Sequence, residues 1–133
     1  MKEIFPAAVV LLALLLPFPS AAREIPTGDL AAPNGCPISI ELGTPQGVQV
    51  VAVPEGLRIS WPPLPKGAVP LEGYQVVRTI ELEGPWQSIA VVGESVTDMI
   101  DTTATMETIY YYRVRSFGGG VCGRYSIPAR GQR

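Results

Sequence analysis

Histidine is absent from this chain of 133 residues, and cysteine occurs only twice. The first absence removes the commonest general base and the commonest zinc ligand together. It also leaves Ser95, Thr108 and Ser126 with no imidazole to activate a hydroxyl for nucleophilic attack. Charged residues make up 17% of the chain and sum to −2, without the clustered basic excess of a nucleic-acid surface. No D-x-D-x-D-G loop exists to gather oxygens around calcium, so Asp98, Asp101 and Glu107 are not read as a metal site. Hydrogen bonding at turns and strand ends is the role expected of Asp98 and Asp101. Paired carboxylates for glycoside hydrolysis need a cleft as well as two acids. No catalytic residue, metal or cofactor is therefore expected. No segment carries a helical apolar period of useful length.

What is present begins with an export signal. Lys2 precedes the apolar run Ala7 to Leu16, Pro17-Phe18-Pro19 breaks it, and Ser20-Ala21-Ala22 supplies small residues for a signal peptidase. The run is far short of the ~20 residues that cross a bilayer as a helix. Residues 1–22 are thus read as a signal peptide cleaved after Ala22, with retention as an anchor the alternative. Losing Lys2 and Glu3 together leaves the net charge at −2. The mature chain is expected outside the cytoplasm, secreted or periplasmic, as a monomer with no stable membrane span. In that compartment Cys36 and Cys122 read as one disulfide; a redox-active pair would call for a C-x-x-C spacing that is missing.

Residues 23–43, rich in proline, glycine and alanine near their start, read as a flexible leader, and 44–133 as one domain. Within it, turn signals separate short runs of β-formers at Val48–Val53, Leu57–Trp61, Tyr74–Thr79, Trp86–Val92, Ser95–Thr102, Thr108–Phe117 and Cys122–Ala129. The connection 62–70 holds four prolines, which lack ladder donors, and cannot be strand interior. Gly118-Gly119-Gly120 follows a strand but opens no helix, so it is a turn. The fold class is all-β, a seven-stranded sandwich. If each strand reverses direction, Cys36, the 62–70 connection and the glycine turn gather at one pole, called here the top. A register error of one strand would send the sulfurs to opposite ends.

Several spaced elements together resemble a fibronectin type III domain of the type in exported bacterial proteins. Pro45-x-Gly47-Val48 is similar to the family's opening, Leu57-x-Ile59-x-Trp61-x-Pro63 to its second strand, and Gly73-Tyr74-x-Val76-x-Arg78 to its third. Asp101 with Thr108-x-Tyr110-x-Tyr112-Arg113-Val114-Arg115-Ser116 is similar to its fifth-to-sixth passage. The sequence departs from the family where Ala104 replaces a leucine and Met106 a proline. The resemblance covers roughly Thr44 to Ala129. It implies an immunoglobulin-like sandwich with a tyrosine corner, in which the Tyr110 hydroxyl reaches back to upstream backbone.

Alternation then sorts the side chains. Trp61, Tyr74, Tyr110 and Tyr112 form the core signature, joined by Leu57, Ile59, Val76, Val114 and Ser116. Tyr111, Arg113 and Arg115 occupy the opposite face beside Gln75, Val77 and Thr79. That face is either a solvated one with arginine planes stacked on tyrosine, or a contact patch for a sugar or a protein. Trp86 either covers an end of the core or stands exposed. The top-pole loops are the other candidate surface. Two functions remain: a non-catalytic module that binds protein or carbohydrate through that face or those loops, and an envelope assembly component that pairs through an edge strand.

Overall fold

The computed structural model describes residues 35–133; the expected signal segment, its cleavage point and the leader as far as Asn34 lie outside the described residues. Eight strands are present among them: β1 Gln49–Val53, β2 Gly56–Ser60, β3 Gly73–Thr79, β4 Gln87–Gly93, β5 Asp98–Asp101, β6 Ile109–Gly118, β7 Val121–Cys122 and β8 Ala129–Gln132. They form two antiparallel sheets. One has the order β1-β2-β5; in the other β4, β3 and β6 lie side by side, and both β7 and β8 pair with the far side of β6.

The inner faces follow the period of two. Leu57 and Ile59 of β2 are fully buried while Arg58 between them is exposed. Tyr74, Val76, Tyr110, Tyr112 and Val114 fill the space from the opposite sheet, with Trp61 and Ala104 closing the cluster. Trp61 meets Tyr74 edge-on, ring centroids 5.4 Å apart at 63°. Each such ring removes ~150–250 Å² from water at ~25 cal/mol per Å². The Tyr110 hydroxyl accepts from the Thr105 N–H at 3.0 Å, so the tyrosine corner forms as expected. Ala104 is buried where the family carries leucine, and Met106 is exposed.

Two boundaries differ from the sequence reading. The seventh strand, expected as Cys122–Ala129, is broken into β7 and β8. Between them the Ser126 N–H still donates to the Val114 carbonyl, while the Val114 N–H donates to the Ser126 Oγ. A side-chain acceptor thus replaces a backbone one, and Pro128 brings no N–H of its own. The flexible leader was expected to run to Gly43, yet the segment from Cys36 onward is tied down. Ser39 N–H donates to the Cys122 carbonyl and Cys122 N–H to the Pro37 carbonyl, both at 2.8 Å. Leu42 is buried, and the Ser116 hydroxyl donates to the Gly43 carbonyl. These contacts depend on partners distant in sequence, which composition does not reveal.

The Cys36–Cys122 disulfide is formed, with Cα atoms 5.8 Å apart. It joins the start of the described chain to the strand that follows the glycine turn, where strand counting places it.

Candidate interaction surfaces

The outer face of β3 and β6 is far more enclosed than its composition suggests. Arg115, expected in an exposed patch, is only 7% exposed, and Gln75, Val77 and Thr79 are buried beside it. Long side chains provide the cover. The Arg113 guanidinium lies 3.9 Å from the Trp86 ring centroid and 4.3 Å from that of Tyr125, and Arg115 lies 4.6 Å from the Tyr125 ring. Arg115 Nε donates to Gln75 Oε1 at 2.8 Å, which also accepts from the Tyr125 hydroxyl, while Gln75 Nε2 donates to Ser88 Oγ. Planar cations stacked on rings keep their charge at a lower desolvation cost than isolated ones. Trp86 neither caps the core nor stands free: it is half-buried, one wall of this ladder. Tyr111 is half-buried on the same face. Burial moves Arg113 below the ordinary guanidinium value; Tyr125 acts the other way and the Arg115 charge adds to the fall.

Tyr125 is the member that sequence reasoning missed. It sits in the segment expected as the seventh strand, adjacent to β6, so its place beside Arg113 and Arg115 follows once the register is known.

The top pole carries an open groove. A groove of about 640 Å³ runs between the proline-rich connection and the segment after Cys36, lined by Ile40, Leu42, Leu64, Val69, Leu71 and Tyr74, with Glu41, Lys66 and Glu94 among the residues around it. Its walls are held by specific contacts. The Tyr74 hydroxyl accepts from the Leu64 N–H at 3.1 Å. The glycine turn presses against the connection from behind: a Cβ on Gly118 would overlap the Pro70 carbonyl oxygen, and Gly119 donates its N–H to Glu72 Oε2. Gly119 and Gly120 both take positive φ, 61° and 81°, which a two-residue hairpin turn of this type requires. Ile40 stands 81% exposed on the groove's lip. Prolines stiffen the wall and lower the ordering cost of a contact there.

The acidic residues separate instead of clustering. Asp98 pairs with Arg58 on the surface at 2.8 Å. Asp101 is a buried hub. It accepts from the Tyr112 hydroxyl at 2.7 Å, from Arg78 at 2.8 Å, and from both the backbone N–H and the hydroxyl of Thr103. Burial alone would favour the neutral acid, but the bonds from Tyr112, Thr103 and Arg78 and the Arg78 charge hold it below the ordinary carboxylate value. Burial, reinforced by the Asp101 charge, pushes the Tyr112 phenol far up. Arg78, which also stacks on Tyr110 at 4.8 Å, completes a brace beneath the tyrosine corner. This is structural chemistry: the Asp101 carboxylate is buried and both its oxygens are taken by donors of the fold. Among the described residues no group of three or more His, Cys, Asp or Glu side chains is placed to hold a metal ion.

Two antiparallel sheets, an inter-sheet indole and a tyrosine corner define an immunoglobulin-like sandwich. Its particular version is fibronectin type III, the fold of its structural neighbours. The chain is similar to an Fn3-like protein from Clostridium thermocellum at 26% identity and TM-score 0.57, over 68% of this chain and 91% of that one. The sixth fibronectin type III domain of a human fibronectin type III domain-containing protein aligns at 14% identity and TM-score 0.58, over 68% of this chain and 84% of that chain. Part of the pectate lyase Pel3 from Pectobacterium carotovorum aligns at 21% identity and TM-score 0.54, over 62% of this chain and 26% of that chain. No family model and no curated protein matches the chain. No helix among the described residues is long and apolar enough to cross a membrane.

Proposed function

We propose that the chain is an exported, non-catalytic fibronectin type III-like module that engages a protein partner through its top-pole groove. The observation that carries this reading is the groove's lining: aliphatic and prolyl side chains on a stiff wall, whose one aromatic ring, Tyr74, is buried and offers no face for a sugar to stack on. Such a surface takes aliphatic side chains of another polypeptide. The disulfide and the apparent signal sequence support an extracytoplasmic location.

The test is capture of binding partners from the exported fraction by the intact mature protein, compared with Ile40→Asp and Val69→Asp. Both substitutions place a carboxylate in the groove without entering the main core. Protein partners retained by the parent and lost by both variants are expected. Undiminished capture by the variants, or recovery of polysaccharide alone, overturns the reading.

An assembly role through an edge strand is the second reading. It is favoured by β4, whose seven residues Gln87–Gly93 include no charge and no proline on a sheet edge. A register shift opposite Val76 and Val77 interrupts that edge, which weighs against it.

A further inference from the structure

We propose that the outer face of the β3–β6 sheet recognises acidic side chains of a protein partner, with Arg113 as the residue that receives the carboxylate. The inference does not depend on the groove.

Arg113 is held in an unusual way. Rings cover both sides of its guanidinium, at 3.9 Å for Trp86 and 4.3 Å for Tyr125, so only its edge donors remain for hydrogen bonding. Its Nε is buried with no acceptor. No carboxylate among the described residues forms an ion pair with it, and none contributes to its electrostatic surroundings, which consist of Tyr125 and the like charge of Arg115. Stacking on rings offsets part of the cost of bringing two cations together, but it satisfies no N–H donor. The terminal nitrogens of Arg113 are therefore an orientated, pre-positioned fork with no acceptor among the described residues. A carboxylate fits it in bidentate fashion.

A neighbouring residue extends the charge. Tyr111 faces Arg130 in the β6–β8 register, and Arg130 is exposed. Arg113 and Arg130 thus share one sheet face in a chain whose overall charge is −2. Two carboxylates on a partner strand or loop would meet both. A uronic-acid glycan offers the same charge, but sugar binding draws on open aromatic faces. Here the faces of Trp86 and Tyr125 are already turned to guanidinium groups.

The experiment is titration of the intact mature protein, observed through the side-chain Nε resonances of its arginines. Three probes are compared: an end-blocked Gly-Glu-Glu-Gly peptide, its Gly-Gln-Gln-Gly counterpart and digalacturonate. The glutamate peptide is expected to shift the Arg113 resonance saturably, with the glutamine peptide and digalacturonate binding about tenfold more weakly or not at all. Arg113→Met keeps an apolar stem between the two rings and is expected to weaken the glutamate peptide about tenfold, with a smaller loss for Arg130→Gln. Absence of an Arg113 shift in the parent protein overturns the proposal and leaves the ladder a brace alone. So does equal affinity for the glutamine peptide, or unaltered affinity in a folded Arg113→Met. Tighter binding of digalacturonate would assign the face to acidic glycans and equally overturn it. Because the first readout uses the unmutated protein, a variant that fails to fold does not obscure the answer.

Discussion

At the scale of single residues, Asp101 is the position on which most depends. It is buried, charged, and satisfied by three different side chains, so removing its charge strands Arg78 and loosens Tyr112 together. Asp101→Asn is expected to cost about 3 kcal/mol, read from denaturant unfolding. The same hub sets the pH response. A carboxylate whose folded value is depressed adds stability that is present above its ordinary value of 3.8 and is lost as the pH falls through the lower folded value. Tyr112 has the opposite sign: its raised folded value gives stability that is full below its ordinary 10.0 and disappears above it. Unfolding midpoints measured across pH should therefore fall on both sides of a broad plateau, and Tyr112→Phe should remove most of the alkaline limb. Of this network the sequence disclosed the parts and not the assembly. Alternation marks Tyr110 and Tyr112 as inward, and Asp101 as a strand-end residue. That one carboxylate gathers Tyr112, Thr103 and Arg78 depends on β5 and β6 lying across the sandwich from each other.

At the scale of elements, the glycine turn and the proline-rich connection act as a pair. β6 ends on Gly118 because the Pro70 carbonyl occupies the space a side chain would take. Gly118→Ala is expected to destabilise by about 2–3 kcal/mol, since the clash is with backbone that cannot rotate away. It should also reshape the groove, visible as altered amide shifts from Leu64 to Leu71. The outer-sheet ladder makes a second prediction. Trp86→Ala removes one ring from Arg113 and should lower stability by about 1 kcal/mol while raising the hydrogen exchange of β3 amides beneath it. Most strands were legible from period-two alternation, and their ends moved by a residue or a few. The break between β7 and β8 was not, because the local pattern is equally good for an unbroken strand. Only the neighbouring Val114 reveals that a serine hydroxyl has taken over one rung of the ladder. Burial of Arg115 was hidden for a similar reason: its cover comes from Tyr125, a residue of another segment.

At the scale of the whole molecule, the disulfide and the segment from Cys36 to Gly43 extend the folded unit beyond the sandwich. The bridge spans 86 positions of sequence, and reduction should lower the unfolding free energy by ~4 kcal/mol in the chain-entropy account. Calorimetry with and without a dithiol reductant measures this, and near-complete retention of the melting temperature would show that the two backbone bonds at Cys122 suffice alone. A chain beginning at Thr44 should melt lower than even the reduced chain beginning at Arg23, because besides Cys36 and its bridge it loses Leu42 and one wall of the groove. By itself the amino-acid order determined which strand residues fill the space between the sheets, that the architecture is an antiparallel sandwich, and that its two sulfurs share a pole. Those properties follow from a period of two and from the reversal of direction at each turn, both written locally. Tertiary structure decided which surface stays open. On the sheet face that carries three cationic and aromatic candidates in sequence, Arg115 is buried while Tyr111 and Arg113 stay half-buried, and a stretch expected to be loose becomes a groove wall. Exposure is a property of what lies opposite a residue, and no local pattern encodes that.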